Sequence, residues 1–207
     1  NFPKKTIIDP LLTMTAPEDA IISSAMDSLV HCVDSFGSVK SNMLTKFQSI
    51  KGFKSSFYTL LKEDISIPEN RLNIAVGSIC GIIALMNSSD GPINGFAYYF
   101  GVKNNIPHGL AGGIFLKDIM SWNYENGFKD YHMLINQDKK SNVTLFKELE
   151  ALYQKYKIPR LKDFGYTEED IKYLSNNVSS SLKGAFSGNP INFDINSTKD
   201  ILKKQKI

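Results

Sequence analysis

The segment from residue 68 to about residue 87 constrains the fold most, because it has a helical pattern with almost no polar face. Pro68 and Glu69 follow Ser66, an order typical of a helix start with a capping residue and an acid three positions later. A helix with so little polar surface is expected at the centre of a bundle. Its apolar residues include Ile74, Ala75, Val76, Ile79, Cys80, Ile82, Ile83 and Leu85.

Most of the remaining chain also shows helix patterns, and hairpin signals are almost absent. Thr15 and Glu18 are expected to cap a helix that has Pro17 in its first turn and ends at Gly37. One apolar stripe on this helix contains Ile22, Ala25, Leu29 and Val33. Further helices are expected over residues 42–61, 94–101, 108–124, 145–156, 168–181 and 199–206. We therefore predict one all-α helical domain that spans residues 1–207.

Composition narrows the functional classes. The 207 residues are 42% hydrophobic and 22% charged, as in ordinary globular proteins. The net charge is only +3 and the lysines are dispersed, so we expect no nucleic-acid partner. No apolar run approaches the ~18 residues of a membrane span, so we expect no membrane association. Cys32 and Cys80 lie in apolar helical patterns and fit buried free thiols, and the N-terminal residues contain no signal-peptide core. A cytoplasmic protein is expected.

Three residues suggest a metal site. Asp27 and His31 are four residues apart and would share one helix face. His108 follows Pro107 at the expected start of a later helix and could approach from there. A carboxylate and two imidazoles form the kind of three-ligand site that leaves a coordination position open for substrate. The alternative is a surface Asp–His hydrogen bond with an unrelated loop histidine.

Several segments occur in a recognisable order along about the first 135 residues. They are Ile8-Asp9-Pro10, the stretch 26–35 with its Asp-x-x-x-His-x-x-Asp pattern, Asn70-Arg71, and residues 91–109, which end in Pro-His-Gly. Together they resemble the C-terminal helical domain of the iron-containing alcohol dehydrogenase family, which is related to the dehydroquinate synthase fold. Asp34 stands where that family usually has a glutamate.

The resemblance implies a ligand set. In such enzymes one aspartate and three histidines hold a divalent iron, sometimes zinc, while hydride passes to or from a nicotinamide cofactor, NAD or NADP. Asp27, His31 and His108 match three of these ligands. The fourth position, fourteen residues before His108, holds Asn94. An amide oxygen is a poorer ligand for iron or zinc than an imidazole, so metal binding could be weakened, altered or lost at this site.

Tyr98 lies four residues after Asn94, where many relatives carry another histidine near the nicotinamide. The resemblance makes Tyr98 a candidate catalytic residue that hydrogen-bonds the substrate. The alternative is an aromatic residue packed in the cleft wall beside Tyr99 and Phe100.

The branch of the family that the chain resembles most contains sugar-acid oxidases acting on 3-deoxy-octulosonate. His31-Cys32, Ser35 and Asn42 fit that branch better than the simple diol or alkanol reductases. The resemblance therefore implies a small-molecule substrate, either an alcohol or a sugar acid.

The chain contains no Gly-x-Gly-x-x-Gly fingerprint, so the family's N-terminal nucleotide-binding domain is expected to be absent from it. Two hypotheses follow. The chain is either the metal-binding domain of a nicotinamide-dependent dehydrogenase or a non-catalytic remnant that acts as a structural or interaction module. A helical hydrolase using His31 or His108 as a base lacks a nucleophile at a suggestive spacing. Without the missing domain, the rim over residues 98–102 would be exposed and apolar, so a homo-oligomer is expected.

Overall fold

The computed structural model describes residues 4–135, 141–177 and 183–204. The α-helices are α1 Glu18–Gly37, α2 Met43–Lys62, α3 Pro68–Met86, α4 Pro92–Asn104, α5 His108–Glu125, α6 Ser141–Lys155, α7 Glu168–Asn177, α8 Lys183–Ser187 and α9 Ile195–Lys204. Short 3-10 turns cover Pro10–Thr13, Asp130–Leu134 and Leu161–Asp163. These ranges contain no β-strand, which confirms the all-α prediction. None of their helices has the length and apolar character needed to cross a membrane.

Helix α1 lies at the centre of the bundle, where it packs against α2, α3, α4 and α5. The predicted apolar stripe is confirmed, since Ala25, Leu29 and Val33 are at most 1% exposed. Met26 and Val30 beside the stripe are fully buried as well. The central position of α1 follows from apolar contacts on nearly all sides of this helix.

The start of α1 differs from the predicted cap. Pro17 itself occupies the N-cap position, and no side chain caps the helix there. Thr15 therefore lies too far from the first turn to satisfy its free N–H groups. The end of the helix is as predicted, with Gly37 as the last helical residue.

Helix α3 is not the central helix, and the sequence prediction on this point is wrong. In its second half, the buried residues are small and allow close backbone approach to α1 and α2. A Cβ on Gly77 would lie 2.0 Å from the Ser56 Oγ, and a Cβ on Gly81 would lie 3.1 Å from the Ser28 carbonyl oxygen. The opposite face of α3 is apolar but exposed at Leu72, Ile82, Ile83 and Met86. The middle of α3 is thus packed through glycines, while these four larger apolar side chains reach the surface.

Helix α5 crosses α1 through three glycines. A Cβ on Gly109 would lie 1.9 Å from the Ser23 carbonyl oxygen, and a Cβ on Gly112 would lie 2.8 Å from the Val30 Cγ2. Gly113 similarly packs against Met26. This contact places the first turn of α5 directly over the middle of α1.

Helix α4 is longer than predicted and ends in a left-handed cap. Asn105 has φ 54°, and the Ile106 N–H donates to the Gly101 carbonyl at 2.9 Å. Asparagine tolerates this conformation better than most residues. The turn directs the chain through Pro107 to His108 at the start of α5.

The C-terminal part departs most from the sequence prediction. Helix α8 was not predicted, and α9 begins at Ile195 rather than Lys199 because Asp194 accepts hydrogen bonds from the N–H groups of Asn196 and Ser197. Phe186 of α8 packs edge-on against Phe96 of α4. The predicted helix ends at residues 181 and 206 lie outside the described residues.

Candidate metal centre

Asp27 is the meeting point of the predicted metal ligands. The His31 Nε2 lies 3.7 Å from one carboxylate oxygen of Asp27, and the His108 Nε2 lies 3.5 Å from the other. His31 reaches Asp27 along α1, whereas His108 arrives from the first turn of α5. His108 is therefore not an unrelated loop histidine, and the fold brings all three side chains together.

These separations suit a shared ion. Ligand atoms bound to a tetrahedral ion at about 2.1 Å are about 3.4 Å apart. The two imidazoles nevertheless contact different oxygens of Asp27. Accordingly, the part of the chain that the structure describes contains no group of three His, Cys, Asp or Glu side chains already gathered as a metal cluster.

Two buried oxygen atoms of the candidate ligands accept no hydrogen bond. They are the Asp27 Oδ1 and the Asn94 Oδ1. A buried acceptor without a donor is costly, and a cation is one partner that satisfies it. The donor set of one carboxylate, two imidazoles and one amide oxygen also fits a divalent ion. The carboxylate and two imidazoles that the fold brings together therefore fit a divalent metal ion, and Asn94 is the poorer donor.

Burial controls the charge of His31. Desolvation lowers the pKa of His31, and nearby His108 lowers it further, against the opposing charges of Asp27 and Asp90. The imidazole is thus favoured in its neutral form. Neutral imidazole is the form that binds metal.

Asn94 is 1% exposed and lies beside Asp34 rather than in contact with Asp27. Its backbone N–H and its Nδ2 both donate to the Asp34 Oδ2, at 3.2 Å and 3.1 Å. The amide nitrogen is thereby committed to Asp34, and the amide oxygen is the atom left for a ligand. Among the described residues, no hydrogen bond joins Asn94 to the Asp27 group.

Asp34 belongs to α1. Its buried carboxyl group lies against the N-terminal end of α4, where it accepts the hydrogen bonds from Asn94. Burial raises the pKa of Asp34 from 3.8 to about 7, against the hydrogen bonds from Asn94 and Gly91. Between pH 4 and 7 the folded protein consequently holds a proton at Asp34 that the unfolded chain has lost.

This difference predicts a loss of stability as pH rises. The contribution of Asp34 is fully present below its unfolded pKa and disappears as pH passes the folded value near 7. The slope is at most about 1.4 kcal/mol per pH unit. Urea unfolding of metal-free protein from pH 4.5 to 8 measures it. The wild type should lose more stability over this range than Asp34→Asn, and parallel curves for the two proteins would contradict the assignment.

Tyr98 lies at the mouth of the site. Its ring centroid is 4.8 Å from that of His108, and the residue is 55% exposed. Tyr99 instead donates to Asp170, and Phe100 is buried in the core. Tyr98 is therefore not packed into a wall with its two neighbours.

Asp90 is a charged residue near the site that the sequence analysis did not single out. Its carboxylate adds to the raised pKa of Asp34 and of Tyr98, and it opposes the lowering of the His31 pKa by burial. Its position in Ser-Ser-Asp-Gly-Pro suggested only a helix break, and no sequence spacing links it to His31.

Comparison with protein families settles the relationship that the geometry suggests. The model of the Fe-containing alcohol dehydrogenase family, C-terminal, matches residues 21–206. The chain belongs to this family. The resemblance predicted from the sequence is thereby confirmed at family level, and the sugar-acid branch remains a prediction.

Similar proteins agree with this membership. The 1,3-propanediol dehydrogenase of Klebsiella pneumoniae is 26% identical over 192 residues, which cover 84% of this chain and 48% of that protein. Alcohol dehydrogenase 4 of Saccharomyces cerevisiae is 22% identical over 210 residues, covering 98% and 54%. This member of the iron-containing alcohol dehydrogenase family thus spans about half the length of these relatives.

Solved structures share the fold. A 1,3-propanediol oxidoreductase superposes with a TM-score of 0.82 at 21% identity, covering 95% of this chain and 54% of that one. The sulfoacetaldehyde reductase from Bifidobacterium kashiwanohense, solved in complex with NAD+, gives 0.84 at 19% identity, with 99% and 55% covered. The helical arrangement is therefore that of the family.

Proposed function

We propose that this domain holds a divalent metal ion, iron or zinc, in a nicotinamide-dependent alcohol dehydrogenase. The observation that carries the proposal is the Asp27 carboxylate, which lies between His31 and His108 from two different helices. Membership of an iron-containing dehydrogenase family supports the same reading. The two relatives found by sequence are dehydrogenases, and they give no support to a non-catalytic module.

Each residue of the site has a distinct task in this proposal. Asp27 supplies a carboxylate oxygen, and His31 and His108 each supply an imidazole nitrogen. Asn94 offers its amide oxygen while Asp34 fixes its amide nitrogen. When bound, the metal would act as a Lewis acid on the oxygen of the substrate alcohol or carbonyl group.

Tyr98 is proposed to bind the substrate oxygen. Partial burial and the negative charges of Asp90 and Asp27 raise the pKa of Tyr98, so its hydroxyl stays protonated at neutral pH. A protonated hydroxyl beside His108 can donate a hydrogen bond to a small alcohol or sugar-acid substrate that enters the open site.

The nicotinamide cofactor, NAD or NADP, is proposed to bind an N-terminal domain outside the residues described here, since the relatives are about twice as long. Self-association is proposed for the rim at residues 98–102. Val102 there is 85% exposed beside Tyr98. Apolar rims of this kind favour contact with another chain.

Loss of the Asp27 carboxylate should strongly weaken metal binding. Metal-free protein reconstituted without oxygen with Fe2+, or separately with Zn2+, should retain close to one ion per chain after desalting. Asp27→Ala should bind about a hundredfold more weakly, because even indirect partners of a metal site contribute tenfold to a hundredfold. Elemental analysis and competition with a chelating dye measure both quantities.

Asp19→Ala is the matched control, because Asp19 is an exposed acid in the first turn of the same helix. It should bind metal like the wild type. Equal metal content in the wild type and Asp27→Ala, or none in either, would contradict the proposed function.

A further inference from the structure

Two thiols lie where α1, α2 and α3 meet. Cys32 on α1 is fully buried, as predicted, whereas Cys80 on α3 is only half-buried. Both are free cysteines, and neither takes part in the proposed metal chemistry.

A glycine on α2 leaves the two cysteines facing one small gap. A Cβ on Gly52 would lie 2.7 Å from the Cys32 Sγ and 3.0 Å from the Cys80 Cβ. The Cys32 Sγ would also lie 3.2 Å from a Cβ on Gly81, the residue next to Cys80. The sulfur of Cys32 therefore points toward the part of α3 that carries Cys80, and the Cys32 Sγ and the Cys80 Cβ are at most 5.7 Å apart.

We propose that Cys32 and Cys80 are an oxidation-sensitive pair that a hydroperoxide converts into an intramolecular disulfide joining α1 to α3. The Cys80 sulfur first attacks one peroxide oxygen, so that an S–O bond forms and the O–O bond breaks. The departing oxygen takes the Cys80 proton and leaves as an alcohol, or as water from hydrogen peroxide, and Cys80 becomes a sulfenic acid. The Cys32 sulfur then attacks the Cys80 sulfur. The S–S bond forms as the S–O bond breaks, and the departing hydroxide takes the Cys32 proton to leave as water.

Exposure sets the order of these steps. Cys80 is accessible to a small oxidant, and Lys51 nearby favours its thiolate against the effect of burial, which raises its pKa. Cys32 is fully buried, so a peroxide in the solvent reaches Cys80 first. Cys32 is instead placed to resolve an oxidised Cys80.

The disulfide would act on the metal site through α1. Cys32 directly follows His31, and the His31 Cβ lies 3.3 Å from where a Cβ on Gly81 would be. A disulfide that drew Cys32 toward α3 would therefore also move the backbone of His31, where His31 packs closely against Gly81. This consequence rests on the proposed function, whereas formation of the disulfide does not.

The experiment treats metal-free full-length chain with hydrogen peroxide, blocks remaining thiols in denaturant and digests with trypsin. The wild type should lose both free thiols and two hydrogen atoms in mass. The fragments covering residues 6–40 and 72–103 should be joined by a bond that a reductant cleaves. Cys80→Ser should give no joined fragments, and Cys32→Ala should leave a singly oxidised Cys80.

Sulfinic or sulfonic acid at Cys80 with Cys32 still reduced would overturn the proposal, as would a disulfide between two chains. Metal affinity of the oxidised wild type is measured separately and should fall at least tenfold, with recovery on reduction. Absence of metal binding in the reduced protein would count against the proposed function alone. An unchanged affinity in cross-linked protein would remove the link between this disulfide and His31.

Discussion

Gly109→Ala should lower the free energy of unfolding by about 3 kcal/mol or more, the range expected for a severe clash in a close-packed contact. The new methyl group would lie 1.9 Å from the Ser23 carbonyl oxygen and 2.8 Å from the Asp27 Cβ. Neither atom belongs to a flexible side-chain end, so α5 must move away from α1. His108 would then move away from Asp27 as well. Urea unfolding followed by circular dichroism measures the loss.

Gly184→Ala is the matched control, because a Cβ there would meet no atom within 4 Å. It should change stability by less than about 0.5 kcal/mol. Similar unfolding midpoints for Gly109→Ala and the wild type would show that the crossing of α1 and α5 is looser than described.

Phe96→Ala should cost about 3–5 kcal/mol, the usual cost of removing a fully buried phenylalanine. The Phe96 ring stacks 4.9 Å from that of Phe115 and packs edge-on against Phe186 and Phe193. It therefore joins the helix that carries Asn94 and Tyr98 to α5 and to the C-terminal segment. Thermal and urea unfolding should both detect the effect.

Phe47→Ala provides the comparison for that substitution, since Phe47 is 66% exposed on α2. Its loss should change the free energy of unfolding by no more than about 0.5 kcal/mol. If the two alanine variants were equally stable, the aromatic cluster around Phe96 could not be what holds α4 in place.

Much of the fold followed from local sequence patterns. The last residue of α1 and the first residue of α5 were predicted closely, because Gly37 and the Pro107-His108 turn are strong local signals. The central place assigned to α3 was wrong because apolar content does not reveal which face is covered. Gly77 and Gly81 make the close contact of α3. Because glycine has no side chain, these two residues do not contribute to a hydrophobic pattern.

The candidate metal site could also be predicted only in part, because local patterns reveal contacts within one helix and not contacts between helices. Helical spacing alone puts Asp27 near His31, whereas His108 was a candidate third ligand that the resemblance to a family then supported. The hydrogen bonds from Asn94 to Asp34 depend on how α4 packs against α1, and so does the electrostatic effect of Asp90 on His31. Contacts between residues about sixty positions apart have no periodicity that a sequence pattern could reveal.

The central position of α1 has a consequence for how firmly Asp27 and His31 would be kept in place. Backbone amides in the most enclosed segment of a domain exchange with solvent only when most of the structure opens, whereas exposed ends fray freely. We expect α1, which carries both residues, to be among the slowest-exchanging segments. Partial opening of the chain ends would then leave these two side chains in their relative positions.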